Sequence, residues 1–425
     1  MIQRQLKATL ATWMLILISI STSAANERND MVFEHSVLTG DWAGWRTSAA
    51  ENGLEFEFVY TGEVFHNFAG GISRGTEYLD NFDLILAVDA EALFAWPGAS
   101  FLLNGLGNHG GSPSTHVGDV QAVSNIDAAD TWKLYQAWYQ QNFLNDRLSF
   151  LLGLHDLNSE FDVIETASLF IHSSHGMGAE LAQSGQNGPS IFPTTSLAAR
   201  VRGLPLEYLY IQSAVYDGVP GDPNDPKGTQ IQFDDGDGLL VVGEIGFFPN
   251  KLNNRLYDAK LAVGGWAYTA KQEELIIVNT TDVPVPYGGH AGVYGFIESQ
   301  LSSERDAPEQ GLFGFVRFGY ANANFNQFKY YLGTGFTYAG LIPSRDEDQI
   351  GIAMASAWNG KPFAAANDIE NVILEIAEVD IEFTYHLQLL PWLALQPDFQ
   401  WVINPGTDTL LKDVFVTVLR WEVGL

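Results

Sequence analysis

Residues 377–389, AEVDIEFTYHLQL, alternate without interruption between apolar or amphipathic side chains and polar ones. A period of 2 is typical of a β-strand with one apolar and one polar face. Strands of soluble sandwiches usually hold about five or six residues, whereas a strand that crosses a membrane needs about ten tilted residues. The length of this segment therefore favours a strand with lipid on one side and water on the other.

The same pattern recurs along the chain. Segments that show it start near residues 54, 82, 99, 133, 147, 195, 206, 240, 256, 291, 312, 329, 348, 376, 393 and 413. One of them alternates from Phe82 to Phe94, with Asp89 and Glu91 on its polar face. About sixteen segments, an even number, would place both ends of a closed barrel on the same side of the membrane.

The connections between these segments also alternate in length. Compact turns near 96–99, 142–147, 203–205, 248–255 and 390–392 are separated by longer stretches near 64–81, 106–131, 156–194, 217–239 and 270–290. This segregation is typical of an outer-membrane barrel with short periplasmic turns and longer external loops. We therefore predict an all-β fold, a transmembrane antiparallel up-and-down β-barrel of about 16 strands over residues 54–425.

The N-terminus carries an export signal. Two basic residues precede an apolar stretch from Leu10 to Ile20, and small residues follow it, so residues 1–25 are predicted to be a signal peptide. Cleavage is expected after Ala24 or Ala25. We therefore expect the mature chain in the outer membrane of a Gram-negative-type bacterium.

Residues 26–53 do not alternate and are predicted to form an N-terminal periplasmic segment with a short helix. Asp41 can cap this helix, and Gly53 can end it. We expect the helix to be a lead-in packed at the barrel mouth, and the alternative is a plug with a role in gating.

The composition excludes several classes of function. The 425 residues carry a net charge of −30 and contain no cysteine. Nucleic acid is therefore not an expected partner, because phosphate binding needs a basic surface, and thiolate zinc sites are excluded. Paired carboxylates are too common in so acidic a chain to indicate a glycosidase, and the H-E-x-x-H motif is absent. We expect neither an enzyme nor a cofactor.

Three stretches resemble a known family. LTGDWAGWRT at 38–47, YQAWYQQNFLNDRLSFLLGLHDLNSEF at 135–161 and GLIPSRDEDQIGIAMASAW at 340–358 are similar to the carbohydrate-selective porins of the OprB type. The resemblance implies a sixteen-stranded outer-membrane barrel that lets sugars diffuse inward, with inward-folded loops that narrow the lumen. One departure is the last residue, because outer-membrane barrels usually end in Phe and this chain ends in Leu425.

The predicted function is passive, carbohydrate-selective diffusion of mono- or oligosaccharides. Its expected partners are small sugars, membrane lipid and lipopolysaccharide. The protein is expected to be either a monomer or a trimer. The alternatives are a general, cation-preferring diffusion porin and a secreted sugar-binding β-protein.

Strand parity supplies candidates for the substrate path. A basic side chain on the lipid face costs about 2–4 kcal/mol at the midplane, so parity assigns charged residues to the lumen. The candidates are Arg200, Arg202, Lys260, Trp266, Arg317, Asp89, Glu91 and Glu382. Polar groups can replace the hydration of a sugar, and a tryptophan offers its ring to the apolar face. The alternatives are wall charges that pair with one another and, for Trp266, a girdle or loop-packing position.

The longest loop supplies a second group of candidates. Within residues 156–194 the residues expected to constrict the pore are Glu160, Phe161, Glu165, Phe170, His172 and His175. His172 and His175 have a metal-like spacing only if they are helical, and we favour loop packing over metal binding. A calcium ion is a weaker alternative to a solvated acidic loop at Asp222, Asp225, Asp234, Asp235 and Asp237.

Overall fold

The computed structural model describes residues 36–252, 258–271, 274–275, 289–369 and 373–425. The predicted signal peptide, residues 1–25, lies outside the described residues. Sixteen strands are present in the described residues: β1 Leu54–Ala69, β2 Gly75–Asp89, β3 Ala99–Gly110, β4 Thr131–Phe143, β5 Leu148–His155, β6 Ser196–Leu206, β7 Leu209–Asp217, β8 Leu239–Phe247, β9 Ala259–Tyr268, β10 Ala291–Ser303, β11 Gly311–Ala321, β12 Phe328–Ala339, β13 Gln349–Asn359, β14 Ala377–Leu390, β15 Leu393–Ile403 and β16 Val414–Gly424.

The strands form a closed antiparallel barrel in which each strand pairs with its neighbours in sequence. Closure is made by β1 and β16, where Tyr60 lies opposite Val423. Large apolar side chains on the outer faces of the strands are exposed, with Phe383, Trp401 and Phe415 each more than 40% accessible. The closed antiparallel topology confirms the predicted barrel. Closure also pairs the backbone N–H and C=O groups that would otherwise be left without hydrogen bonds in lipid.

Short helices precede the first strand or lie in the connections between strands. They are α1 Trp45–Glu51, α2 Ala90–Phe94, α3 Ser114–Val117, α4 Ala179–Ala182, α5 Pro249–Leu252 and α6 Lys361–Ile369. Helix α1 follows a 3-10 turn at Trp42–Gly44, and the Asp41 carboxylate accepts the Thr47 N–H at 2.8 Å. No helix within the described residues is long and apolar enough to cross a membrane.

Two predicted boundaries were wrong. The stretch 64–81 was expected to be a long loop, but β1 continues to Ala69 and β2 resumes at Gly75. The alternation is interrupted in the sequence by Phe65 and His66. Phe65 shares the lumen-facing parity of Glu63 and Asn67, and all three are fully buried.

The alternation from Phe82 to Phe94 is not one strand. Strand β2 ends at Asp89, whose carboxylate accepts the N–H groups of Glu91 and Ala92 and so caps α2. Glu91 therefore lies on a helix and has no strand parity. The sequence AEALF favours a helix once Asp89 provides the cap.

Candidate functional site

Two external loops fold into the barrel. Loop 156–195, between β5 and β6, buries Leu157 and Phe161 completely, and they pack with wall residues such as Trp266 and Tyr294. Loop 111–130, between β3 and β4, buries Val117 and Val123 against the wall formed by β15, β16 and β1. The two loops contact each other, since the Asn125 N–H donates to the Ile171 carbonyl at 2.9 Å. They therefore narrow the lumen together.

We call the wall surface on which loop 156–195 packs the seat of the loop. Arg317 on β11 lies at the centre of this seat. Its guanidinium donates to both carboxylate oxygens of Asp162, with a shortest distance of 2.6 Å, and to Glu180 at 2.8 and 3.0 Å. All three side chains are almost completely buried. Bidentate arginine–carboxylate pairs are strong and directional, so this cluster fixes the position of the loop.

Two further basic residues of the wall hold the same loop. Arg200 donates to Glu160 at 2.5 Å and to the wall residue Gln140 at 2.7 Å. Burial opposes ionisation of Glu160, but Arg200 and the other basic groups near it, including Arg202, together outweigh burial and lower the pKa of that carboxyl. Lys260 donates to the Val163 carbonyl at 2.7 Å.

Carboxylates of β14 hold both inward loops through their backbones. Glu378 accepts the N–H groups of Val120 and Gln121 in loop 111–130 at 3.1 Å each. Glu382 accepts the N–H groups of Ile171 and His172 in loop 156–195 at 2.6 and 3.1 Å. The polar positions in the alternating segment 377–389 therefore include acids that face the lumen and anchor the two loops.

The two histidines of loop 156–195 pack within the protein. Their rings are 5.7 Å apart, and both side chains are buried. Burial lowers the pKa of His172 and lowers that of His175 to about 3, so both are neutral at pH 7. No group of three or more potential ligand side chains in the described residues is arranged to hold a metal ion.

The structure places the predicted path residues inward but mostly under the loop. Arg200, Arg317 and Trp266 are at most 3% exposed. Arg202 is half-buried and stacks on the Tyr210 ring at 4.8 Å. Of the six loop candidates, Glu165 is exposed, and the other five are buried: Glu160, Phe161, Phe170, His172 and His175.

The part of the lumen wall that loop 156–195 leaves accessible lies on β1 to β5. We call it the open side and define it by half-buried, lumen-facing residues: Glu57, Asp83, Gln136, Trp138 and Gln140. Sequence parity missed Trp138 because β4 contains a bulge. Asn104 pairs with Gln136, and its neighbour Gly105 pairs with Leu134, so Tyr135 is an extra residue. Both Tyr135 and Trp138 consequently face inward.

A second cluster missed from sequence lies on the external turn between β1 and β2. Residues 71–75, GISRG, have the G-x-S-x-G spacing of a hydrolase nucleophile. The Ser73 hydroxyl contacts His116 Nδ1 at 2.7 Å, and His116 Nε2 contacts Glu77 at 2.9 Å. The motif requires a strand–turn–helix context, whereas this turn joins two strands. The Ser73 N–H donates to the His116 carbonyl, so the cluster ties loop 111–130 to the turn.

The acidic loop between β7 and β8 uses several carboxylates to hold its own turns. Asp222 accepts the Asn224 N–H at 2.8 Å, and Asp225 accepts the Lys227 N–H at 3.1 Å. Asp237 accepts the N–H of Asp234 at 2.9 Å. These contacts are those of capped turns, and a calcium ion at this loop stays a hypothesis.

Comparisons with known proteins agree with this geometry. A profile of the family described as carbohydrate-selective porin, OprB family, matches residues 73–425. Porin B of Pseudomonas aeruginosa is 23% identical over 402 residues, which cover 87% of each chain.

Two solved structures share the fold. The high pH structure of Pseudomonas putida OprB has a TM-score of 0.82 at 20% identity and covers 92% of this chain and 99% of that one. The outer membrane channel DcaP of Acinetobacter baumannii has a TM-score of 0.55 at 8% identity and covers 88% of this chain and 97% of that one. With the family profile matching most of its length, the chain belongs to the carbohydrate-selective porin family OprB.

Proposed function

We propose that this porin passes mono- or oligosaccharides along the open side of its lumen, driven only by their concentration gradient. The observation that supports this route is the combination of Trp138 with Gln136 and Gln140 on one half-buried strip of β4. A tryptophan ring can cover the apolar face of a pyranose, and amides can replace the water lost by its hydroxyls. The wall opposite is occupied by loop 156–195.

The size of the solute is set by the two inward loops. Loop 156–195 is held on β6, β11 and β14 by Arg200, Arg317 and Glu382. Because each contact is a buried hydrogen bond to a charged group, the loop is expected to stay in place at neutral pH. We infer that monosaccharides enter faster than disaccharides.

The outward faces of the strands are proposed to contact membrane lipid and lipopolysaccharide, after export directed by residues 1–25. Native mass spectrometry of protein extracted from outer membranes, in which the wild-type chain is compared with mass standards, would distinguish a monomer from a trimer.

Liposome swelling tests the proposed function. Purified protein is inserted into liposomes, and the initial swelling rates in isosmotic glucose, a disaccharide and a trisaccharide are compared with those of protein-free liposomes. We expect glucose to enter fastest and the trisaccharide to be nearly excluded. Inserted protein that admits none of these sugars would contradict the proposal.

A general cation-preferring porin is the second candidate, favoured by the acids of the open side. Reversal potentials in planar bilayers would show cation preference for either function. Only a carbohydrate-selective pore would pass glucose faster than a neutral polyol of equal size that cannot stack on a ring.

A further inference from the structure

We propose that the open side of the lumen prefers amino sugars carrying a protonated amine over neutral sugars of the same size. This inference rests on the proposed function, because it concerns which sugars use the same path. The basic and acidic side chains that face the lumen differ in whether they are paired within the protein.

The basic side chains of the wall are engaged by the protein. Arg200 and Arg317 are paired with loop carboxylates, and Arg420 is paired with Glu63 and donates to Asn125 at 2.5 Å. Lys133 contacts Thr194, Lys260 contacts the Val163 carbonyl, and Arg202 lies on the Tyr210 ring. Each of these wall bases therefore has a contact within the protein.

The acids on and next to the open side have no lysine or arginine partner. Glu57 and Asp83 of the open side are half-buried, and so are Asp156 at the start of loop 156–195 and Glu422 on β16. None of the four forms an ion pair with a lysine or arginine among the described residues, although Asp156 accepts the Tyr135 hydroxyl at 2.8 Å. Asp83 lies within electrostatic range of the other three. A strip of unpaired carboxylates bounded by low-dielectric walls concentrates cations along its length.

A second observation points to a ligand that donates hydrogen bonds. Asn104 on β3 is only 4% exposed, and its Nδ2 donates to Asp83 Oδ1 at 3.1 Å. Its own carbonyl oxygen accepts no hydrogen bond from the described part of the chain. A buried acceptor beside a carboxylate lacks a donor. An ammonium group supplies three donors and a positive charge at once.

The neighbouring residues could contact the sugar ring of such a ligand. In the register of β3 with β4, Asn104 pairs with Gln136, two residues before Trp138. The Trp138 ring and the two flanking glutamines therefore lie beside the acidic strip. A hexosamine such as glucosamine carries both an apolar ring face and an ammonium group, whereas a uronic acid would be repelled by the same carboxylates.

The test compares uptake of labelled glucosamine, glucose and N-acetylglucosamine into proteoliposomes at neutral pH and low salt. N-acetylglucosamine keeps the substituted ring but removes the charge. We expect glucosamine to enter about threefold to tenfold faster than glucose, because the strip raises the local concentration of a cationic solute. In 1 M salt, where the Debye length is about 3 Å, this ratio should approach one while glucose uptake stays the same.

Two variants locate the effect. The double variant E57Q/D83N removes two charges of the strip with little change in shape and should bring the ratio of glucosamine to glucose uptake close to one. E207Q/E347Q removes two exposed turn acids and should leave the ratio at its wild-type value. Glucose uptake without faster glucosamine uptake would overturn this inference and leave the porin function standing. Failure of glucose itself to enter would instead contradict the proposed function.

Discussion

The covered and open sides of the barrel use the same types of side chain for different purposes. On the covered side, Arg317 meets Asp162 and Glu180 from loop 156–195, and all three are buried. On the open side, Asp83 is half-buried, and its hydrogen-bond donor is the neutral amide of Asn104. A wall charge is therefore part of the loop anchor where a loop supplies its partner, and it is available to solutes where no loop reaches it. Three predictions test this distinction, and a fourth concerns a contact that belongs to neither side.

The largest effect is expected from R317A. Removing one member of a buried ion pair typically costs about 3–5 kcal/mol, because Asp162 and Glu180 would remain buried without a counter-charge. Loop 156–195 should then leave its seat, and disaccharide entry measured by liposome swelling should rise by about tenfold. The matched control is R202A, which removes an inward arginine held by a ring contact and should change disaccharide entry less than twofold. Equal effects of the two variants would contradict the distinction.

The second prediction concerns pH and the covered side. Burial lowers the pKa of His172, and it lowers that of His175 from 6.5 to about 3, so the seated loop contains neutral imidazoles. Above pH 6.5 both histidines are neutral in the seated and in the displaced loop, so they do not change the stability of the seated loop. Between about pH 6.5 and 3 the two histidines take up protons in the displaced loop but not in the seated loop, so they destabilise the seated loop as pH falls.

Hydrogen exchange of loop 156–195 measures this loss. Opening should increase by up to about tenfold per pH unit for each histidine below pH 6.5. The double variant H172Q/H175Q should flatten the dependence. An unchanged pH dependence in that variant would show that other groups control the loop.

The third prediction concerns the open side. W138A should lower glucose entry by about two- to tenfold, as expected for the loss of an aromatic contact of about 0.5–1.5 kcal/mol. W132A changes an exposed tryptophan on the lipid-facing side of the same strand and should leave glucose entry unchanged. Swelling rates normalised to single-channel conductance separate a lost sugar contact from a wider pore. Higher glucose entry in W138A would identify the ring as an obstacle.

The smallest effect on transport is expected at Arg46, which belongs to neither side. Its guanidinium donates to the carbonyl groups of Leu425 and Phe56 at 2.8 Å each, so it joins the last strand to the first. R46A should lower the temperature at which the barrel unfolds in detergent by a few degrees, since each hydrogen bond to a charged group contributes about 1.5–3 kcal/mol. R46K, which keeps the charge and loses the planar fork, should be intermediate. Sugar selectivity should not change, and an altered selectivity would assign the segment a gating role.

The barrel was predictable because lipid and lumen impose an alternation that each strand must carry in its own sequence. The segment 377–389 shows this directly, since its polar residues face the lumen and Phe383 faces outward. The strand boundary at Asp89 was missed because AEALF satisfies either an alternating or a helical pattern. The choice between them is made by the Asp89 cap, which is a local hydrogen bond.

The site was less predictable because its contacts join distant parts of the chain. Arg317 is 155 residues from Asp162 and 137 from Glu180, and no spacing rule relates such residues. Parity correctly sends Arg317 inward but does not show that a loop covers it. Trp138 was missed for a different reason, because the bulge at Tyr135 reverses the parity of β4.

The most direct test of the sugar route uses cysteine substitution, since the chain has no native cysteine. Q136C places a thiol on the open side, and A353C places one on the β13 wall beneath loop 156–195, where Ala353 is 3% exposed. Glucose entry is measured before and after treatment with a bulky, membrane-impermeant thiol reagent. We predict that the reagent blocks glucose entry through Q136C and has no effect on A353C. Block of A353C with Q136C unaffected would place the route on the other side of the barrel and contradict this account.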